Sequence, residues 1–230
     1  MRSRIFTTTF ALVVALAAGA CSESSAEDDG TPSAQVHMIA RALTEVDVFS
    51  APGGNEYALT LPASTAFGSP TTLAVVEQSD EWLHVLLPVR PNGSSGWVHE
   101  SAVTLEQTSY AVDVDLAGRV LRLYESGELA LETPIAIGAG DAPTPTGAFF
   151  VTDVLDTPDG GAYGPFAIGL SAHSDVFTEF AGGDGQIGVH GTNDPSSIGN
   201  AVSHGCVRAP NEVISQLAAM LPLGTPVTVR

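Results

Sequence analysis

A mainly β protein is predicted by three features of the chain. Short alternations of apolar and polar residues run along most of it, turn chemistry separates them, and only one stretch has helical spacing. With 44% apolar residues, 24 Gly and 15 Pro among 230 residues, it can build a real core but has little room for long helices. The length allows one or two domains.

From Val36 to Leu105, strands are expected at His37–Leu43, Asp47–Phe49, Tyr57–Leu61, Ala66–Phe67, Leu73–Gln78, Trp82–Leu87 and Gly96–Val98. Pro52-Gly53-Gly54-Asn55, Gly68-Ser69-Pro70 and Pro91-Asn92-Gly93-Ser94 supply the turns. So many short strands in one stretch suit a small barrel. Glu106-Gln107-Thr108-Ser109 then reads as a short linker.

A second β unit, 110–230, opens with clean alternation at Tyr110–Leu116 and Arg119–Tyr124, joined by a hairpin turn at Ala117-Gly118. Strands are expected next at Leu129–Ile137 and Ala148–Thr152. Pro143-Thr144-Pro145-Thr146-Gly147 between them interrupts ladder pairing and forces a rigid corner. Residues 156–165 are rich in Gly and Pro and read as a loop or flap. Pro210–Leu221 has Asn211 as an N-cap candidate and Val213, Ile214, Leu217 and Leu221 at helical spacing. It is the one helix expected, and Val227–Val229 closes the unit as a strand.

The N-terminus reads as a targeting segment: Arg2 and Arg4, a short apolar run from Ile5 to Ala18, then Ala18-Gly19-Ala20-Cys21 as a small-residue cleavage site. The run is too short for a good membrane span. Ala-Gly-Ala before Cys21 resembles a bacterial lipobox, with Ala18 where Leu is preferred. That resemblance implies a lipidated Cys21 and a membrane-anchored lipoprotein of the cell envelope, with simple secretion as the alternative. Residues 22–35 are small, polar and acidic, the composition of a disordered tether. The whole chain carries 26 acidic against 8 basic residues, a formal net charge of −18, and all eight basic residues are Arg. Nucleic acid is excluded as a partner, because phosphate binding needs clustered cations. With no Lys, only His or Arg can supply positive charge near a reactive group.

The chemistry concentrates in Ile187-Gly188-Val189-His190-Gly191-Thr192 and Val202-Ser203-His204-Gly205-Cys206-Val207-Arg208. Cys206 is the only cysteine after Cys21. An unpaired thiol in an exported protein is either reactive or buried and inert. If 202–208 is extended, His204, Cys206 and Arg208 share one face with Val202. A nucleophilic thiol needs a base or a positive neighbour, and His190 and His204 are the candidates. The plain alternative for each is a satisfied core or surface histidine. Gly205 permits close backbone approach, and the Gly205 and Cys206 amides are candidate oxyanion donors. Arg208 either holds a substrate carboxylate or makes a surface ion pair. A zinc hydrolase built on His190, His204 and Cys206 is chemically sensible, but HExxH and CxxC are both missing. A non-catalytic wall-binding module is a further alternative.

Two resemblances follow from these residues. Val48-Phe49-Ser50-Ala51-Pro52, Glu81-Trp82-Leu83-His84-Val85 and Gly96-Trp97-Val98 resemble bacterial SH3-like domains over 36–105. This implies a small barrel that binds wall peptide or positions its neighbour. Over 110–230, Val189-His190-Gly191-Thr192 followed by Ser203-His204-Gly205-Cys206-Val207-Arg208 resembles the signature of YkuD-like L,D-transpeptidase catalytic domains. The Pro143–Gly147 corner, Tyr163-Gly164-Pro165-Phe166-Ala167-Ile168-Gly169-Leu170 and Leu223-Gly224-Thr225-Pro226-Val227 extend the match. The resemblance implies a β-sandwich-like domain with a metal-free thiol site and no cofactor, acting on peptidoglycan stem peptides. It makes Cys206 the nucleophile and His190 the base, oriented by the Gly191 carbonyl. His204 supports the site electrostatically, Ser203 and Arg208 complete the motif, and Tyr163 lies on the covering flap. The acceptor is left open: a stem amine, water or a protein amine.

Overall fold

The computed structural model describes residues 35–54, 56–157, 161–179 and 183–230. The targeting segment, Cys21 and all but the last residue of the 22–35 tether lie outside them. Within the described residues the fold is mainly β with one α-helix, and these residues belong to one compact unit. None of their helices is long and apolar enough to cross a membrane.

β1 (His37–Ala42), β2 (Val46–Phe49), β3 (Tyr57–Leu61), β4 (Thr72–Ser79), β5 (Trp82–Leu86), β6 (Ser95–His99) and β7 (Val103–Thr108) form an antiparallel sheet. Its order is β3-β2-β6-β5-β4-β1-β7. The alternation in β5 does what period 2 dictates: Leu83 and Val85 are buried, while Trp82, His84 and Leu86 are half-buried. Two expectations fail here. Ala66–Phe67 is a turn, closed by Gly68 N–H donating to Thr65 O at 3.0 Å, so Phe67 is exposed. The linker expected at 106–109 is largely strand: Glu106–Thr108 complete β7, which pairs with β1 from Val103↔Ala42 to Thr108↔His37. Pairing with β1 satisfies their backbone groups, which outweighs their polar, linker-like composition.

The second half contains β8 (Tyr110–Asp115), β9 (Val120–Glu125), β10 (Glu128–Pro134), β11 (Ile137–Gly138), β12 (Gly147–Asp156) and β13 (Phe166–His173). It continues with β14 (Gln186–His190), β15 (Ala201–Ser203), β16 (Val207–Arg208), α1 (Asn211–Met220) and β17 (Pro226–Val229). Eight of these strands make a sheet in the order β10-β9-β8-β17-β12-β13-β14-β16, and β11 pairs in parallel with β15 beside it. The single strand expected at Leu129–Ile137 is therefore split. Beyond Pro134 the backbone leaves β9, and Ala136 exchanges hydrogen bonds with Arg208 at 2.8 and 2.9 Å. Asn211 does not cap α1. Pro210 holds the N-cap position without a side-chain bond, and Asn211 Oδ1 instead accepts from Thr192 N–H at 2.8 Å.

β12 joins the two halves. Phe149 packs with Val227, Leu123 and Ile214 in the core of the second sheet, whereas Phe150 packs with Val48, Leu83 and Val98 in the core of the first. Adjacent residues on a strand face opposite ways, so one strand serves both cores. At Gly224 a Cβ would lie within 3.0 Å of Thr72 Cγ2, which shows how closely the halves approach.

Candidate active site

β14 ends in His190, and β16 runs parallel beside it with His190 opposite Arg208. The chain reaches β16 through a turn, not as the continuous strand expected over 202–208. β15 stops at Ser203, whose Oγ donates to Cys206 O at 2.5 Å and accepts from Gly205 N–H at 3.2 Å. Gly205 is required for this turn: its φ is +117°, and a Cβ there would lie 2.9 Å from Ile187 Cδ1. The Gly205 amide, one of the two expected oxyanion donors, is thus engaged by Ser203. The turn still brings Ser203, His204, Cys206 and Arg208 onto one cavity of about 230 Å³, shared with His190 and Tyr163.

His190 is buried, and its Nδ1 lies 2.6 Å from Gly191 O. A carbonyl oxygen only accepts, so Nδ1 carries the proton and Nε2 keeps a free lone pair. Burial lowers the His190 pKa to about 4, opposed by the Gly191 hydrogen bond and aided by the Arg208 charge. Burial pushes the Cys206 thiol up, opposed by the Gly188 backbone N–H and by Arg208. Both directions favour neutral forms, so the resting site holds a thiol and a neutral imidazole. His204 is exposed, with its ring 6.1 Å from that of Phe177.

Arg208 is half-buried, and its Nε is buried with no hydrogen-bond partner among the described residues. The surface ion pair offered as its plain reading is not what the described residues form. Arg41, Arg122 and Arg230 meet carboxylates, while Arg90 and Arg119 donate to backbone carbonyls. Tyr163 lies over the site with its ring 4.7 Å from the His190 ring, edge to face. Its loop is held close because residue 164 is glycine: a Cβ there would come within 2.7 Å of Gly191 Cα.

The L,D-transpeptidase catalytic domain model of the YkuD family matches residues 109–229, more than half of the chain. The chain belongs to this family. It is 40% identical over 120 residues to the L,D-transpeptidase YkuD predicted in Bacillus licheniformis, and 35% identical over 120 residues to the one predicted in Bacillus subtilis. Each match covers 52% of this chain and 65% of the relative's length. Among solved structures, the catalytic domain of the Enterococcus faecium L,D-transpeptidase, determined by NMR, is 27% identical. That similarity covers 53% of this chain and 96% of the other, with a TM-score of 0.39.

Several residues around this YkuD-family site were not singled out by sequence reasoning. Arg90, between β5 and β6, donates to the carbonyls of Ser174 at 2.6 Å, Phe177 at 2.9 Å and Asp184 at 2.8 Å. Asn92 brackets His173, donating to its carbonyl at 2.7 Å and accepting from its N–H at 2.9 Å. The first sheet thereby holds the segment that supplies Ser174, Phe177 and Gly185 to the cavity wall. His173, assigned no role from sequence, is buried with Nε2 3.0 Å from Asp184 Oδ2. Asp153 is fully buried in β12. Its signal was available: one carboxylate inside the apolar run Phe149-Phe150-Val151-Thr152-Asp153-Val154-Leu155.

Proposed function

We propose that this protein is a peptidoglycan L,D-transpeptidase in which Cys206 is the nucleophile and His190 the general base. The observation that carries this is the His190 Nδ1 bond to Gly191 O, which leaves Nε2 as the basic atom in the cavity shared with Cys206. Since both groups rest neutral, His190 takes the thiol proton as sulfur attacks, and no ion pair needs to form beforehand. The thiol attacks the amide between an L-centre and a D-amino acid of a tetrapeptide stem. A tetrahedral oxyanion forms against the Cys206 amide. The imidazolium then protonates the departing D-alanine amine, and a thioester to Cys206 remains. Attack by the side-chain amine of a neighbouring stem's diamino acid forms the cross-link and frees the thiol. Arg208, whose buried Nε has no hydrogen-bond partner among the described residues, is suited to hold the carboxylate of the departing D-amino acid. Ser203 fixes the turn that presents the nucleophile, Tyr163 shields the imidazole, and His204 adds to the field at the cavity mouth. No cofactor or metal enters this chemistry.

The first sheet is read as an SH3-like domain. It carries a row of rings, with Phe49 6.5 Å from Tyr57 and 5.3 Å from Trp82, and Trp82 5.2 Å from His99. Such a row suits contact with wall material. Export, and anchoring through a lipidated Cys21, complete the reading and would place the site beside the wall.

Intact-mass spectrometry after incubation with a disaccharide-tetrapeptide, with and without acceptor stem, tests the activity. Loss of D-alanine with a dimeric product is expected. Tripeptide without dimer would make the enzyme an L,D-carboxypeptidase, and no turnover would leave a wall-binding module.

A further inference from the structure

The carbonyl that orients His190 belongs to a peptide unit held on its other side as well. Gly191 O and Thr192 N–H are the two polar groups of one peptide, and in a trans peptide they point in opposite directions. Gly191 O meets His190 Nδ1 at 2.6 Å, while Thr192 N–H donates to Asn211 Oδ1 at 2.8 Å. An N–H only donates, so the atom it meets on Asn211 is the oxygen. Thr192 is buried, and a buried N–H without an acceptor costs free energy. The 191–192 peptide is thus pinned by His190 on one side and by Asn211 on the other.

Asn211 is itself placed by the fold. It is the first residue of α1, whose Ile214 and Leu217 are buried in the core of the second sheet. Its amide reaches the peptide through a niche that glycines leave open: a Cβ at Gly191 or at Gly164 would lie 2.4 Å from Asn211 Oδ1. Gly164 follows Tyr163, whose ring lies over His190, so the same amide backs the covering loop.

The sense of this peptide decides the state of the base. Gly191 brings no side chain to hinder its rotation. Turned over, the peptide would bring Thr192 N–H to His190 in place of Gly191 O. Nδ1 would then accept, and the imidazole proton would sit on Nε2. In that tautomer Nε2 has no lone pair to take the thiol proton.

We propose that Asn211 is a positioning residue for the base: by accepting from Thr192 N–H it keeps Gly191 O turned toward His190 and so selects the tautomer with Nε2 free. This inference rests on the reading of His190 as general base and names what holds its tautomer. Asn211 does not line the small cavity and acts through the peptide alone.

Nitrogen NMR of the full chain, isotopically labelled in its histidines, reads the tautomer without substrate. The His190 signals are assigned by their loss in His190→Gln. The parent protein should show Nδ1 protonated and Nε2 bare. Asn211→Leu, similar in size but with no acceptor, should populate the opposite tautomer. Its kcat for D-alanine release should fall about 10- to 100-fold, with KM within about twofold of the parent. Asn211→Asp, which restores an acceptor oxygen, should recover the parental tautomer and most of the lost rate. If Asn211→Leu does not fold, Asn211→Ala takes its place, with the same shift expected at smaller size. Three results would each overturn the proposal: a parent protein with the proton on Nε2, a parental tautomer in the variant without an acceptor, or an equal rate loss in that variant and Asn211→Asp. A tautomer shift in a protein whose parent releases no D-alanine would overturn the transpeptidase reading and uphold the role of Asn211.

Discussion

The two sheets use similar strands to opposite ends. In the first, the buried core is apolar, and its buried polar residues are threonines such as Thr71 and Thr72 that donate to nearby carbonyls. In the second, Asp153, His173, His190 and Ser203 are buried as well. His190 and Ser203 are held by backbone partners one and three residues away, so the chemistry is oriented by its own local chain. Burying such groups in a protein core is costly unless they are hydrogen-bonded. A sheet that accepts that cost carries chemistry, whereas a sheet that avoids it carries stability. β12 belongs to both, and Arg90 and Asn92 reach from the stable sheet to the reactive one.

Substitutions at the site should break chemistry and leave the fold. Cys206→Ala is expected to abolish D-alanine release with an unchanged circular dichroism spectrum. Retention of near-parental activity would remove Cys206 as nucleophile. His190→Gln keeps the size of the side chain but supplies no base, and should lower kcat/KM by about 10²- to 10⁴-fold. Comparable activity in this variant would shift the base to His204.

Substitution at the junction should break the comparison itself. Phe150→Ala empties a fully buried site of the first core from a strand of the second, at a cost of about 3–5 kcal/mol. A single, lowered thermal transition is expected, since both cores share β12. Two separate transitions would show that the sheets unfold independently.

The mildest test is pH. A His190 pKa lowered to about 4 means that the base is already neutral above that value and is lost only as pH falls through it. The acid limb of kcat/KM should therefore lie near pH 4, well below the ordinary imidazole range. A limb near 6.5 would show that burial does not govern His190. Because burial raises the Cys206 pKa, its alkylation by iodoacetamide should still be accelerating at the pH where an ordinary thiol levels off.

The sequence alone determined a mainly β fold with one helix and the family resemblance of the second half. Alternation in β8 and β9, helical spacing over α1 and the glycine-flanked histidine and cysteine are local patterns, legible wherever neighbouring residues dictate the outcome. Where long-range pairing decided, the local reading failed. Glu106–Thr108 became strand because β1 lies beside them, and Asn211 left its capping role because Thr192 N–H needed an acceptor. The run 202–208 turned instead of extending because Ser203 closes onto Cys206 O. The neutral state of His190 and Cys206 and the burial of Arg208 Nε and of the Asp153 carboxylate depend on residues far away in the chain. Desolvation comes from everything packed around a group, so only the tertiary structure could set it.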